Sequence, residues 1–384
     1  MSIEMKVAII GGGIGGLTTA IALRNRGIEA HVYERSPALR EVGAGISLWP
    51  NAVKALRSLG LWEAVRSISP ETADFALRRR DGRVISHTPA REMERRFGGG
   101  VLILHRAELL SVLAESFGES NLHLDHSCAG IKEDEDGVTA RFSDGEAVRA
   151  DVLIGADGLR SMVRSWLGHS DPVRYSGYTV WRSVVRFDAS QIVPAETWGC
   201  GNLFGIHPLT SGRVYWYATA NAAEGEESAA QSSTDTLLSI FKGWHDPIEA
   251  LIRASGSAIL RNDVYDREPI PRWGGGRVTL LGDAAHPMTP NLGQGACQAI
   301  EDAVELAWRL ASETTVEAGL RRYEAERVAR TRSIVLGSRR LGTLAQVRTP
   351  VLCRLRDLAL SLTPTAVSLR SIAPVVGYEN KLVD

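Results

Sequence analysis

A glycine pattern close to the N-terminus could bind the phosphates of a nucleotide. Gly11, Gly13 and Gly16 form the pattern G-x-G-x-x-G. The first glycine allows a tight turn, the second lets the backbone approach a pyrophosphate, and the third lets a helix pack closely on a strand. The free N–H groups at the start of that helix favour negative charge. We therefore predict that Gly11, Gly13, Ile14, Gly15 and Gly16 contact a dinucleotide.

An acidic residue lies at the distance that suits the ribose of the same nucleotide. Glu34 ends a second predicted strand, 18 residues beyond Gly16, where about 20 residues are typical. Its carboxylate can accept hydrogen bonds from ribose hydroxyls but would repel a 2′-phosphate, which excludes NADP from this position. FAD and NAD both stay open at this point, and the adjacent Arg35 is a further candidate contact.

Two further motifs resemble those of one enzyme family. Residues 154–161 are IGADGLRS and residues 281–287 are LGDAAHP, followed by MTPNLGQG at 288–295 and by EDA at 301–303. In this order they resemble the Asp-Gly and Gly-Asp motifs of class A FAD-dependent aromatic monooxygenases, the p-hydroxybenzoate hydroxylase type. The resemblance covers most of the chain, from residue 5 to about residue 330, and it selects FAD as the bound nucleotide.

The resemblance also implies which residues hold FAD. Asp283 would accept hydrogen bonds from the ribityl hydroxyls, although an aspartate here could instead cap a helix. Asp157 would contact a nucleotide or serve only as a turn or cap residue, and Arg106 would pair with the pyrophosphate unless it is a surface arginine. The other implied contacts are Gly45, Ser47, Cys128, Gly282, Pro290, Gly293, Gln294, Gly295 and Ala296.

The reaction of the family follows from the same resemblance. NAD(P)H would dock transiently and reduce FAD, and O2 would then form a flavin C4a-hydroperoxide that hydroxylates a small aromatic or heteroaromatic substrate. Because the cofactor carries this chemistry, the protein must exclude water and hold the substrate carbon close to the flavin. No second G-x-G-x-x-G is present, which argues against a reductase with two dinucleotide folds.

Candidate pocket residues lie on predicted strands in the middle of the chain. Tyr215 and Tyr217 share one face because side chains alternate along a strand, and Tyr178 and Arg182 share a face on another strand. His207 lies near the end of a third strand. Each of these residues could also be an ordinary core or surface residue.

Two closer resemblances differ in the substrate that they imply. Residues 45–51 and 291–295 resemble bacterial FAD-dependent urate hydroxylases, and Tyr215 matches their active-site tyrosine. Asn291 stands where those enzymes have a catalytic aspartate, and Leu203 where they have a substrate-binding arginine. Leucine cannot pair with an anionic purine, so a more apolar substrate is expected. Residues 178–185 and 266–269 instead resemble hydroxybenzoate hydroxylases such as 3-hydroxybenzoate 6-hydroxylase.

Other functions stay open on the sequence alone. An epoxidase of a lipophilic or terpenoid substrate would use the same chemistry. An FAD-dependent reductase on the same fold would consume substrate without incorporating O2. A non-catalytic flavoprotein would bind FAD but would oxidise NAD(P)H no faster when a substrate is added.

The elements that must position these residues form an α/β fold of two predicted domains. The apolar run before Gly11 predicts a buried parallel strand, which begins a Rossmann-like FAD-binding domain of residues 1–72, 100–174 and 266–345. Residues 73–99 and 175–265 are predicted to form an inserted α+β substrate domain with an antiparallel or mixed sheet. Residues 346–384 are predicted to form a C-terminal helix, which could cover the FAD domain, lie on a membrane or line the route of a lipophilic substrate.

The composition restricts the class of partner. The chain has 384 residues, a formal net charge of −1 and a pI near 6.8, so it lacks the basic balance of a nucleic-acid-binding protein. Its four cysteines form no CxxC pair, which predicts neither a metal site nor disulfides and suits a cytoplasmic location. No apolar stretch is long enough for an integral membrane helix. We expect a monomer or homodimer that acts on a small molecule.

Overall fold

A computed structural model describes residues 5–39, 44–71, 73–190, 192–226 and 232–379. The strands in chain order are β1 (Lys6–Ile10), β2 (Glu29–Tyr33), β3 (Gly45–Leu48), β4 (Phe75–Arg79), β5 (Val84–Thr88), β6 (Leu102–His105), β7 (Leu122–His123), β8 (Cys128–Asp134), β9 (Gly137–Phe142), β10 (Ala147–Ala150), β11 (Val152–Gly155), β12 (Arg174–Arg186), β13 (Ala195–Trp198), β14 (Asn202–Leu209), β15 (Arg213–Asn221), β16 (Leu260–Asp266) and β17 (Val278–Leu280). The helices are α1 (Ile14–Arg24), α2 (Pro50–Ser58), α3 (Trp62–Ser67), α4 (Ala90–Phe97), α5 (Arg106–Phe117), α6 (Met162–Trp166), α7 (Ser233–Ile240), α8 (Ile248–Ser255), α9 (Gly295–Ser312), α10 (Val316–Ala345), α11 (Pro350–Leu362) and α12 (Thr365–Val376).

A five-stranded parallel sheet brings the three sequence motifs together. Its order is β17-β11-β1-β2-β7, and every pair in it is parallel. All residues of β11 and β17 are buried, as expected for a parallel sheet that is covered on both faces. The chain leaves β1 at Gly11, β11 at Ala156 and β17 at Leu281. The glycine loop, the Asp-Gly motif and the Gly-Asp motif therefore meet at one edge, where open α/β sheets bind ligands.

A seven-stranded sheet carries the predicted pocket residues. Its order is β16-β12-β15-β14-β13-β4-β5. Only the β13–β4 pair is parallel within this sheet of the described structure, so the sheet is mixed, as predicted. Helices α7 and α8 cover one face around a core that includes Phe204, Trp216 and Phe241. Since side chains alternate along a strand, Tyr215 and Tyr217 lie on the opposite face. The fold class is confirmed, whereas the predicted domain boundaries stay a prediction.

The remaining strands form two smaller sheets. Strands β8, β9 and β10 form an antiparallel meander, and β3 pairs with β6. The backbone N–H of Arg106, directly after β6, donates to the Ala44 carbonyl at 2.9 Å. The β3–β6 pair thus fixes the start of α5 beside the segment predicted to pass the flavin.

Helices make up most of the chain after β17. Helix α10 continues to Ala345, and its Ser338 hydroxyl donates to the Thr289 carbonyl at 2.6 Å, which holds the helix against the preceding loop. The predicted C-terminal helical segment is present but divided into α11 and α12, which meet at 94°. Pro364 separates them, since proline disfavours helical geometry at the residue before it.

No single helix in the described parts of the chain is long and apolar enough to cross a membrane, and α11 and α12 meet that test only as a bent pair.

Candidate FAD and substrate site

The glycine loop after β1 is shaped for close backbone approach. Gly11 has φ of +113°, and a Cβ there would overlap the carbonyl of Ala156. A Cβ at Gly16 would overlap the carbonyl of Gly11, whereas a Cβ at Gly13 would meet nothing within 4 Å. Helix α1 begins at Ile14, and no side chain of the described residues caps its first N–H groups. The open side of Gly13 therefore leads to free backbone donors that fit a pyrophosphate.

The acid after β2 is fixed beside this loop. Glu34 Oε2 accepts from the Gly12 N–H at 2.7 Å, and Oε1 accepts from the Ser36 N–H at 2.9 Å. Carboxylate oxygens have further lone pairs, so Glu34 can also accept from ribose hydroxyls. Arg35 is exposed at the beginning of the next turn. A Cβ at Gly15 would lie 2.8 Å from the Leu281 side chain, so this position needs glycine for packing between α1 and the end of β17.

Asp157 is a capping residue in the structure. Its carboxylate accepts from the Ser161 hydroxyl and from the Met162 N–H at 2.7 Å, at the beginning of α6. Asp157 therefore has a capping role, and a nucleotide contact for Asp157 stays a prediction. Cys128 lies nearby on β8, and desolvation, with a smaller effect of Asp157, raises the pKa of its thiol to about 11. Cys128 is accordingly a neutral packing group.

The loop between β17 and α9 carries an exposed acid, Asp283. It contains two short 3-10 turns, Gly282–Ala284 and Pro290–Leu292. The Asp283 side chain keeps accessible surface, although surrounding protein atoms desolvate its carboxyl and raise its pKa, while His286 and Arg106 oppose the rise. The helix-cap alternative for Asp283 is not realised, because no side chain caps that turn in the described structure. Asp283 thus faces the charge of Arg106.

Buried polar atoms around this loop fit a polar cofactor. Trp49 Nε1, His286 Nδ1 and Gln294 Nε2 are buried without a hydrogen-bond partner among the described residues, and such groups cost about 1–3 kcal/mol each. A Cβ at Gly293, which has φ of +61°, would lie 2.8 Å from Ser47 Oγ and 2.9 Å from Trp49 Nε1. Polar side chains of β3 therefore lie directly over the loop. An isoalloxazine ring has the donors and acceptors that this surface would match.

The remaining candidate residues begin the following helix. Gly295 and Ala296 start α9, whose first turn has no side-chain cap, and a Cβ at Gly295 would lie 3.9 Å from Asp283 Oδ1. Free N–H groups at this helix N-terminus favour negative charge near Asp283. The residues of the Gly-Asp motif and the following loop thus fit FAD.

A buried ion network holds the loop, and sequence reasoning missed its centre. Arg327 of α10 donates to Glu301 and, at 2.6 Å, to Asp302, both on α9. Asp302 also accepts from the Gly282 N–H at 3.0 Å and contacts His286 Nε2 at 2.6 Å. Desolvation opposes ionisation of Asp302, but His286 and Arg327 outweigh it and lower its pKa to about 2. The sequence signal for this network was the pair of adjacent acids, Glu301 and Asp302, within the apolar run AIEDAV.

One aromatic cluster occupies the face of the seven-stranded sheet opposite α7 and α8. The His207 ring stacks on Tyr215 at 6.2 Å, on Tyr217 at 5.8 Å and on Phe75 at 6.2 Å between ring centroids. A Cβ at Gly45 would overlap the Tyr215 ring, so this ring lies directly on the backbone of β3. Tyr215 therefore joins the seven-stranded sheet to the strand predicted to pass the flavin.

The rings of this cluster carry no charge at neutral pH. Desolvation lowers the pKa of His207 to about 4 and raises the pKa of Tyr215 to about 12. The Tyr217 hydroxyl donates to Glu196, and desolvation raises the pKa of both groups. Tyr215 thus keeps its proton and can donate a hydrogen bond, and neutral His207 adds no cation.

The other predicted pocket residues are placed differently. Asn291 Oδ1 accepts from the Tyr178 hydroxyl at 2.8 Å, which connects the loop before α9 to β12. Arg182 Nη2 donates to Asn262 Oδ1 at 2.6 Å on the edge strand β16. Leu203 is 3% exposed and packs among apolar groups such as Trp198. The structure therefore groups Tyr215 and His207, links Asn291 to the sheet, and places Arg182 opposite Tyr217 with its guanidinium bonded to Asn262.

The chain is similar to known flavoenzymes over nearly its whole length. A family model described as FAD binding domain matches residues 4–338. The chain is 45% identical over 362 residues to aurachin C monooxygenase/isomerase of Stigmatella aurantiaca, covering 93% of this chain and 94% of that protein. It is 36% identical to 3-amino-4-hydroxybenzoate 2-monooxygenase of Streptomyces cremeus, covering 88% and 87%. The structure of Klebsiella pneumoniae HpxO complexed with FAD and uric acid has a TM-score of 0.92 and 32% identity, covering 98% and 97%.

These similarities confirm the family resemblance that the motifs indicated, and they confirm FAD as the cofactor. The chain therefore belongs to the FAD binding domain family, and it is an FAD-dependent monooxygenase.

Proposed function

We propose that this monooxygenase uses NAD(P)H and O2 to hydroxylate an uncharged, largely apolar aromatic or heteroaromatic ring, which binds between the aromatic cluster and the Gly-Asp loop. The observation that carries the proposal is the neutral aromatic cluster around His207, Tyr215 and Tyr217. Its relatives include an enzyme whose structure was solved with uric acid and a 3-amino-4-hydroxybenzoate 2-monooxygenase. Leu203 offers no cation to an anionic ring of that kind, which supports an uncharged substrate.

Different residues at the edge of the five-stranded sheet would hold different parts of FAD. In this proposal the Gly11–Gly16 turn holds the pyrophosphate with Arg106, Glu34 holds the ribose, and Asp283 accepts from the ribityl hydroxyls. When bound, FAD supplies hydride acceptance from NAD(P)H and the activation of O2. The uncapped first turn of α9 stabilises negative charge at this position. The chain itself thus supplies binding and electrostatics.

The pocket side chains orient the substrate and exclude water. Tyr215 keeps its proton at neutral pH, because its pKa is raised to about 12, so its hydroxyl donates a hydrogen bond to a substrate oxygen or nitrogen. Neutral His207, Tyr217 and Phe75 pack beside it and keep the site dry. A dry pocket strengthens each polar contact and protects reactive groups from water. Since His207, with a pKa of about 4, is only a weak base, the ring must carry its own electron-donating substituent.

The test compares uncharged and anionic rings of similar size. Purified protein containing FAD is mixed with neutral phenols and quinolones or with urate and hydroxybenzoates, and NAD(P)H oxidation is followed under labelled O2. We expect an uncharged ring to accelerate oxidation at least ~10-fold more than an anionic one, since placing an unpaired charge in a dry site costs several kcal/mol. One labelled oxygen atom should appear in the product.

A matched pair of variants locates the effect. Tyr215→Phe keeps the ring on Gly45 but removes a hydrogen bond, and kcat/KM should fall about tenfold. The control is Tyr175→Phe, because the Tyr175 hydroxyl donates to the Ala222 carbonyl. This variant should change kcat/KM little. Unlabelled product would indicate a reductase, and no acceleration by any ring would indicate a non-catalytic flavoprotein. Equal acceleration by anionic rings would contradict the uncharged substrate.

A further inference from the structure

The outward face of α11 is apolar. Val351, Leu355, Leu358 and Leu362 repeat at the spacing of one helix face, and their exposed fractions are 63%, 57%, 50% and 73%. Leu352 beside them is 52% exposed. The helix therefore presents a continuous apolar stripe to solvent.

The inward face of the same helix carries the charges. Arg356 and Asp357 are buried and form an ion pair with a 2.9 Å distance between Nη2 and Oδ1. Arg356 also donates to the Gly199 carbonyl at 2.9 Å. A surface helix of a soluble protein normally turns its apolar stripe to the core and its charges to water. Helix α11 instead buries an ion pair and exposes four of its leucines, so ordinary core packing does not account for those leucines.

The exposed apolar residues cluster in this part of the molecule. We define the α11 patch as Val351, Leu352, Leu355, Leu358, Leu362 and Val367. These are six of the eleven large apolar residues that are exposed in the described parts of the chain. Single exposed leucines need no explanation, but a contiguous exposed group marks an interaction surface.

The exposed charges on α11 and α12 themselves have one sign. Arg348, Arg354 and Arg370 are the exposed ionisable residues between positions 346 and 378. The acid in this stretch, Asp357, is buried and paired with Arg356. The two helices thus present apolar and cationic side chains, and Glu92, which lines a groove with Ser361 and Thr365, is already paired with Arg95 and Arg96.

We propose that the α11 patch docks on the surface of an anionic lipid bilayer. Leucines and arginines on one side of a helix suit an interfacial helix, whose apolar face enters the acyl boundary while cations contact anionic headgroups. The 13 residues of α11 span only ~20 Å, less than the ~30 Å of a bilayer core. The 94° bend before α12 further favours a position on the membrane surface.

A second copy of the chain fits the patch less well. A two-fold interface places the same surface on both subunits. It would therefore bring Arg354 and Arg370 toward the arginines of the other copy, with no exposed acid from residues 346–378 to pair with them. Anionic headgroups supply the missing negative charge. This inference does not depend on which ring the enzyme hydroxylates.

The experiment measures co-sedimentation of the FAD-containing protein with phosphatidylcholine vesicles, with and without phosphatidylglycerol. We expect ~100-fold tighter binding to the anionic vesicles, from three arginines near the surface. Leu355→Glu combined with Leu358→Glu should abolish this binding, whereas Val193→Glu, which changes an exposed valine outside the patch, should not. Arg354→Gln combined with Arg370→Gln should remove most of the preference for anionic lipid.

The outcomes separate the alternatives. Protein that stays in the supernatant with both vesicle types overturns the proposal. The same holds if Val193→Glu weakens binding as much as the double leucine variant. A dimer that the double leucine variant dissociates, without vesicle binding by the unaltered protein, would assign the patch to a second copy instead. All changed residues are exposed, so the substitutions should leave the fold intact. The FAD content and the unfolding midpoint of each variant check this.

Discussion

The charge of a single side chain in the pocket depends on what surrounds it. His207 is 5% exposed and lies among the rings of Phe75, Tyr215 and Tyr217. Desolvation alone accounts for the lowering of its pKa to about 4. An imidazole in this position cannot act as a cation at neutral pH, so its contribution is a flat, neutral surface.

The lowered pKa of His207 should make the free energy of unfolding depend on pH. Between pH 6.5 and about 4 the unfolded chain binds a proton at His207 that the folded chain does not. The free energy of unfolding therefore falls as the pH decreases through this range. His207→Phe keeps a ring and removes the titration. From pH 7.5 to pH 5 the natural protein should lose about 2 kcal/mol more than the variant in urea unfolding.

The same urea unfolding is measured on His169→Phe for comparison. The pKa of His169 is also lowered, but His169 lies outside the aromatic cluster. If His207→Phe showed the same pH dependence as the natural protein, His207 would have to be solvated or paired in the folded state.

At the scale of helices and strands, local patterns were predictable and long-range partners were not. The glycine loop and the Gly-Asp turn depend on neighbouring residues, such as Gly11 with φ of +113° and Gly282 with φ of +60°, and the sequence predicted both. The partner of Asp302 lies 25 residues away on α10, and no local signal points to Arg327. Glu196 was missed for the same reason, because it meets Tyr217 only across the paired strands.

Arg327 should support both the fold and the flavin. Arg327→Met leaves the buried Glu301 and Asp302 without their shared cation, and breaking a buried pair typically costs about 3–5 kcal/mol. Because Asp302 holds the Gly282 N–H and His286, flavin content should also fall. Urea unfolding and flavin absorbance of the purified protein measure the two effects.

Arg332→Met is the matched control, since Arg332 is exposed on the same helix and should alter unfolding by less than about 0.5 kcal/mol. Normal stability and flavin content in Arg327→Met would show that the two acids are not both charged in the folded protein.

At the scale of the whole molecule, a few contacts join the seven-stranded sheet to the β3 strand and to the loop before α9. Tyr215 of the seven-stranded sheet lies on Gly45, and Tyr178 of the same sheet binds Asn291. These contacts lie on the side where we propose that substrate and flavin meet. Their geometry therefore determines the width of the proposed pocket.

Gly45→Ala should disturb this junction. The added methyl group would overlap the Tyr215 ring, and such overpacking typically costs about 1–3 kcal/mol. The ring must move, so substrate-stimulated NAD(P)H oxidation should decrease while the glycine loop still binds FAD. Steady-state kinetics and thermal unfolding measure the change.

Gly130→Ala provides the control, because a Cβ on this strand residue would meet nothing within 4 Å. Equal effects of the two substitutions would mean that the Tyr215 contact does not set the pocket.

The order of strands in the sheets has a consequence for synthesis on the ribosome. The hairpin β4–β5 emerges early, yet its neighbour β13 begins at Ala195. The five-stranded sheet is also incomplete until β17, which ends at Leu280. A nascent chain of 250 residues thus exposes unpaired edges in both sheets, which are sites of aggregation. We expect this protein to need chaperone protection until about three quarters of it has been translated.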